Sequence, residues 1–110
     1  MDSATSHEQL RSRAEPRTRL KLYYDILKQA SALNLARDVS RGVRVPKSRL
    51  QFSVYLSWSR LARHVRELAS AHLIDEESLV PTDLGMQFVS DFEHFSERLV
   101  RRYNLPNEKG

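Results

Sequence analysis

The stretch KSRLQFSVYLSWSRLARHVRELASAHLI, residues 47–74, decides the fold. Lys47 to Val54 has room for about two helical turns and points Leu50 and Val54 to one side. Tyr55 and Leu56 lead into a turn, and Ser57 is a residue type suited to cap a helix start. After it, Trp58, Leu61, Val65, Leu68 and His72 recur at helical spacing and predict a buried face. Ser59, Arg63 and Ser70 fall opposite, with Arg60, Arg66 and Glu67 at the flanks. A short helix, a tight turn and a capped amphipathic helix predict a helix-turn-helix. In that arrangement the second helix enters the major groove of DNA.

Downstream, Leu73-Ile74 and Leu79-Val80-Pro81 flank the polar turn Asp75-Glu76-Glu77-Ser78, a pattern that predicts a short β-hairpin. Thr82 or Asp83 caps a last long helix, with Leu84, Phe88, Phe92, Phe95, Leu99 and Tyr103 down one face and Val89 and Val100 widening it. That helix is expected to fade near Asn104, before Pro106, leaving a frayed tail over 104–110. Upstream, Pro16 opens a helix of about 16 residues. Leu20, Tyr23, Leu27 and Ala30 form one apolar row on it, and Leu22, Ile26 and Leu33 form an adjacent row. Residues 35–46 break the period, with Arg37, Arg41 and Arg44 around Gly42 and an extended piece at Val43–Val45. Residues 1–15 are polar and aperiodic and read as a disordered tail; a basic arm along DNA is the alternative. The fold class expected is therefore mainly α: one winged-helix domain over residues 16–103 with a hairpin wing.

Charge is distributed unevenly. Residues 11–66 hold 14 Lys/Arg against 3 acids, while residues 67–97 hold 8 acids and no Lys or Arg. A basic half without a small-molecule motif points to nucleic acid. Cysteine is absent, which excludes a thiolate nucleophile and a disulfide framework. No apolar run approaches a membrane span and no apolar leader core opens the chain, so a cytoplasmic protein is expected. No phosphate-binding glycine loop, zinc-protease helix motif or nucleophile elbow occurs, and neither an enzyme nor a cofactor is expected. Asp91, His94 and Glu97 stand at i, i+3 spacing, but three ligands on one solvated helix face make a poor closed metal site, and no metal is expected.

From Thr18 to about Phe95 the chain resembles the archaeal winged helix-turn-helix DNA-binding regulators. The resemblance rests on Tyr24-Asp25-Ile26-Leu27, on Ser48-Arg49-Leu50 and on the Leu56-Ser57 turn. It continues through Trp58, Leu61, His64-Val65, Leu68 and His72-Leu73-Ile74, and through Thr82, Gly85, Phe88 and Val89. It implies a winged-helix fold, double-stranded DNA binding, transcription regulation and dimerisation through the last helix. Three departures stand out: His72 replaces a usual glycine, the loop at 34–46 is longer and more basic, and the hairpin tip is acidic. Phosphates repel an acidic tip, which shifts the expected backbone contacts to the stretch from Arg37 to Arg49.

The expected DNA-binding residues are thus Ser59 and Arg63 at base edges, with Arg60, Arg66, Lys47, Arg49, Arg37, Arg41 and Arg44 at bases or phosphates. Phe88, Phe92, Phe95, Leu99 and Tyr103 are the expected seam of a homodimer. Trp58 is read as a packing residue rather than a base-stacking one. Two other readings stay open: a partition or chromatin protein that coats DNA, and a protein-interaction module whose partner docks on the acidic region 67–97.

Overall fold

A computed structural model describes residues 17–36 and 45–106. It is mainly α, with four helices among those residues: α1 (Arg19–Ala36), α2 (Lys47–Val54), α3 (Trp58–Ser70) and α4 (Asp83–Tyr103). The tail expected at 1–15, the segment holding Arg37, Arg41, Val43 and Arg44, and Asn107–Gly110 lie outside the described residues.

Helix α1 is the hub, and α2, α3 and α4 all pack on it. Its buried line is Leu22, Ile26, Leu27 and Ala30, with Tyr23, Tyr24 and Leu33 partly buried beside it. Leu20, expected in the apolar row, is 57% exposed. At 3.6 residues per turn it stands about a quarter-turn off the centre of the buried line. Leu50 and Val54 of α2 and Leu61, Val65 and Leu68 of α3 complete the centre, together with Val45, Leu56, Ile74, Leu79 and Val89.

The α2–α3 turn forms as the sequence reading expects. Tyr55 ends α2 in the left-handed region, and the Ser57 hydroxyl accepts the Arg60 amide to cap α3. Two residues assigned to the buried face of α3 are not buried. Trp58 is 38% exposed, because it opens the helix and its ring lies under Lys47 Nζ at 5.0 Å instead of in the core. His72 is exposed: α3 stops at Ser70, and His72 turns the chain at φ 65°. His64 takes a buried place instead, at 4% exposure.

The two-stranded hairpin does not form as strands. Among the described residues, Ile74 and Pro81 make one isolated antiparallel bridge. Leu79 sits at φ 61°, which breaks the returning strand, and Pro81 has no amide to extend a ladder. A tight turn remains, in which the Asp75 carboxylate accepts the Ser78 amide (2.8 Å) and hydroxyl (2.7 Å). The Val45 amide donates to Ser78 O at 2.8 Å, fastening the approach to α2 onto this turn.

The junction between α3 and α4 explains the Thr82/Gly85 pattern. Thr82 Oγ1 donates to His72 O at 2.7 Å and accepts the Gly85 amide at 3.0 Å, while the Thr82 amide donates to Leu73 O. A Cβ on Gly85 would lie 2.0 Å from Leu73 O. Gly85→Ala is expected to destabilise the protein by about 2 kcal/mol or more, because the obstacle is backbone. His72→Gly, which suits the left-handed turn, is expected to stabilise it by about 1 kcal/mol. Urea unfolding of the two variants against the parent checks both signs.

Candidate nucleic-acid interface

Helix α3 divides cleanly. Leu61, His64, Val65 and Leu68 are buried, and Ser59, Arg60, Arg63 and Arg66 are exposed. Burial of one apolar stripe fixes the helix's rotation and leaves the opposite face for contact. Lys47 and Arg49, at the start of α2, are also exposed. Four cations elsewhere are paired within the fold: Arg17 and Lys21 both bind Asp25, Lys28 binds Glu93, and Arg101 binds Glu97, while Arg19, Arg98 and Arg102 make no ion pair with a described residue. Arg60, Arg63 and Arg66 make no such ion pair with a described residue. The structure therefore brings Ser59, Arg60, Arg63 and Arg66 together on one helix, with Lys47 and Arg49 on the helix before it.

One border of this face is acidic. Lys47, Trp58, Ala62, Val65, Arg66, Glu76, Glu77 and Leu79 line one shallow groove. Glu76 and Glu77 of the tight turn thus stand beside two of the candidate cations. An anion approaching Arg66 or Lys47 meets this local counter-charge, whereas Arg63, Arg60 and Ser59 do not line that groove.

The acidic region 67–97 is partly consumed by the fold. Tyr23 Oη donates to Glu67 Oε1 at 2.8 Å, and His64 Nδ1 lies 3.0 Å from the same oxygen. An ionised carboxylate only accepts, so the Nδ1–H tautomer of His64 fits this bond. These bonds, that from His64 first, hold the Glu67 carboxyl below its ordinary 4.5. Burial, and then Glu67 itself, raises the Tyr23 hydroxyl above its ordinary 10.0. Tyr24 Oη donates to Glu93 Oε2 at 2.6 Å, and Glu93 also holds Lys28. The sequence reading set Glu67 on the solvent flank and missed the Tyr23–Glu67–His64 cluster. Its visible signals were a histidine on the buried stripe and an acid three residues on; Tyr23, from another helix, left no local mark.

Helix α4 carries two apolar directions. Gly85 and Val89 are buried against the body, and Phe92 stacks on Tyr24 with centroids 4.6 Å apart and rings 19° apart. Phe88 lies 6.4 Å from Phe92 and is half-buried. Phe95, Leu99 and Tyr103 remain 56%, 37% and 61% exposed. Of the five expected seam residues, then, Phe88 and Phe92 serve the fold and three stay open. Among the described residues no group of three His, Asp or Glu side chains is placed to share a metal ion, and no helix is long and apolar enough to cross a membrane.

Compared with protein-family models, curated proteins and solved structures, the chain matches none.

Because Glu67 is held below its ordinary value, its contribution to stability is present above about pH 4.5 and is lost as the pH falls through its lower folded value. Glu67→Gln is therefore expected to be less stable than the parent at neutral pH. The gap should narrow as the pH falls below about 4.5. Urea midpoints measured down an acid pH series test this; a gap of constant size would contradict it.

Proposed function

We propose that this is a dimeric, sequence-preferring double-stranded DNA-binding protein of winged-helix type, with the wing reduced to a turn and α3 reading the major groove. The supporting observation is the split of α3. One face is spent in the core, and the other presents Ser59, Arg60, Arg63 and Arg66, whose arginines find no ion-pair partner among the described residues. A major groove accommodates one α-helix, and an arginine fork matches the two acceptors of guanine. Arg63 lies away from the acidic groove and reads bases; Arg49 on α2, which does not line that groove, grips phosphate. The order of helices, helix, helix-turn-helix, long helix, is the one implied by the resemblance to archaeal winged-helix regulators, with a turn where that resemblance implies a hairpin wing. A regulator of transcription is the corresponding biological role.

The dimer follows from α4. Leu84, Phe95, Leu99 and Tyr103 form apolar surface that the monomer leaves exposed, running down the helix beside its buried face. Pairing two such helices about a two-fold axis buries it on both copies and presents two α3 helices to one duplex.

Arg63→Ala is expected to cost about 1–3 kcal/mol on a preferred duplex and to flatten preference among sequences. Arg49→Ala is expected to weaken all duplexes alike and to make the salt slope shallower by about one unit. With five phosphate contacts the parent's slope of log affinity on log salt lies near −4 to −5. Titrations on a preferred and a scrambled duplex at several salt concentrations decide this; binding to neither would favour a protein partner on the acidic surface. Separately, Phe95→Glu is expected to yield monomers in light scattering where the parent is a dimer, and an unchanged mass would remove α4 as the seam.

A further inference from the structure

The end of α2 breaks two rules of protein surfaces at once. Phe52 is 79% exposed and Tyr55 is 83% exposed, and their ring centroids lie 6.5 Å apart at 46°. The rings are tilted against each other rather than stacked, and each keeps most of its area in water. Tyr55 also has φ 58°, where glycine or asparagine is the favoured helix-ending residue and a bulky side chain is strained. Neither ring is needed to cover the core, and Tyr55 costs the fold backbone strain. A residue that offends local rules without a packing gain is a candidate for function.

The surroundings indicate the chemistry of the ligand. Residues 45–66 contain five Lys/Arg and no acid. Arg49 stands one helical turn before Phe52 and is exposed, and Ser57 and Ser59 of the α3 start follow Tyr55 directly. Open ring faces one helical turn from an exposed Arg49, which makes no ion pair with a described residue, suit a ligand that is both anionic and flat. An acidic peptide offers a flat face only where it carries an aromatic side chain, whereas every nucleotide carries one. A paired duplex keeps its base faces stacked inside. Unpaired nucleotides offer both a π-face to an aromatic ring and a phosphate to Arg49.

We propose that Phe52 and Tyr55 form a stacking platform for unpaired nucleotides of DNA, beside the duplex-reading face of α3. This rests on the DNA-binding reading and adds a second substrate class to it: duplex carrying a melted or single-stranded segment next to the bound site.

The test is fluorescence anisotropy at fixed salt with three labelled probes: a paired duplex, the same duplex with an internal bubble of unpaired thymines, and oligothymidylate alone. The parent should bind the bubbled duplex about tenfold more tightly than the paired one. Phe52→Ala combined with Tyr55→Gly should abolish that gain and leave paired-duplex affinity unchanged, and Tyr55→Phe should keep it. Tyr55→Gly relieves the left-handed strain, so its thermal midpoint should not fall, which separates lost binding from lost folding. Arg63→Ala should weaken both duplexes and preserve their ratio. Equal parent affinity for paired and bubbled duplex overturns the platform and leaves the duplex reading standing. Binding to oligothymidylate but to no paired duplex, lost in the double variant, overturns the duplex reading and upholds the platform. Binding to no probe overturns both. A change in solution mass of the double variant shows that the rings join copies of the chain and also overturns the platform.

Discussion

The burial of one line of α1 is the constraint on which the rest depends. Ile26, Leu27 and Ala30 are wholly excluded from solvent, and every other helix packs on this one. With so short a chain there is little redundancy in the core, and each element must find its place on the same hub. Helix α3 meets α1 through its buried stripe and also through the Tyr23–Glu67–His64 cluster. That polar cluster adds direction to a contact that hydrophobic burial alone leaves non-directional. The rotation of α3, and so the exposure of Arg63, follows from both.

A second constraint acts at the α3–α4 junction. Leu73 O receives the Thr82 amide and crowds against Gly85, so the chain reverses in a fixed way between the two helices. The same reversal carries the tight turn at 75–78, which Val45 ties to the approach of α2. Position of the acidic turn relative to α3 is thus set by backbone hydrogen bonds at both its ends. Its carboxylates come to share a groove with Lys47 and Arg66 rather than projecting as a wing. In the proposed DNA complex the counter-charge of Glu76 and Glu77 falls on the Arg66 side of α3, which leaves Arg63 as the centre of contact.

Positive-φ residues mark places where the chain accepts local strain. Leu79 lies at a reversal and is itself buried, so packing compensates for it, and Asn104 is a residue type that takes this conformation readily; His72, like Tyr55, is exposed, but it turns the chain between α3 and α4. Tyr55 ends a helix in the same conformation but leaves its side chain in water. Strain at an exposed aromatic residue, with the exposed ring of Phe52 6.5 Å away, is the combination on which the proposed stacking platform stands.

Apolar periodicity marked the four helices, and residue type marked the α2–α3 turn at Tyr55–Ser57, because these are local. Residue type left the last cap between Thr82 and Asp83, which the structure gives to Thr82, and it opened the first helix at Pro16, where the structure begins it at Arg19. The same spacing put Leu61, Val65 and Leu68 inside and Arg60, Arg63 and Arg66 outside. Tertiary structure decided what spacing leaves degenerate. Periodicity cannot tell a helix end from its middle, so Trp58 and His72 fitted the buried stripe although each sits at an end where the core stops. Two short apolar runs, Leu73-Ile74 and Leu79-Val80-Pro81, around a polar turn suggested a ladder, but pairing needs extended backbone and a donor on both strands, and Leu79 and Pro81 withhold them. Nor can one helix reveal which partner it will meet. Glu67 is half-exposed but tied to the body because Tyr23 arrives from α1, and Phe92 is drawn into the body because Tyr24 stacks on it, while Phe95 on the same stripe stays in solvent.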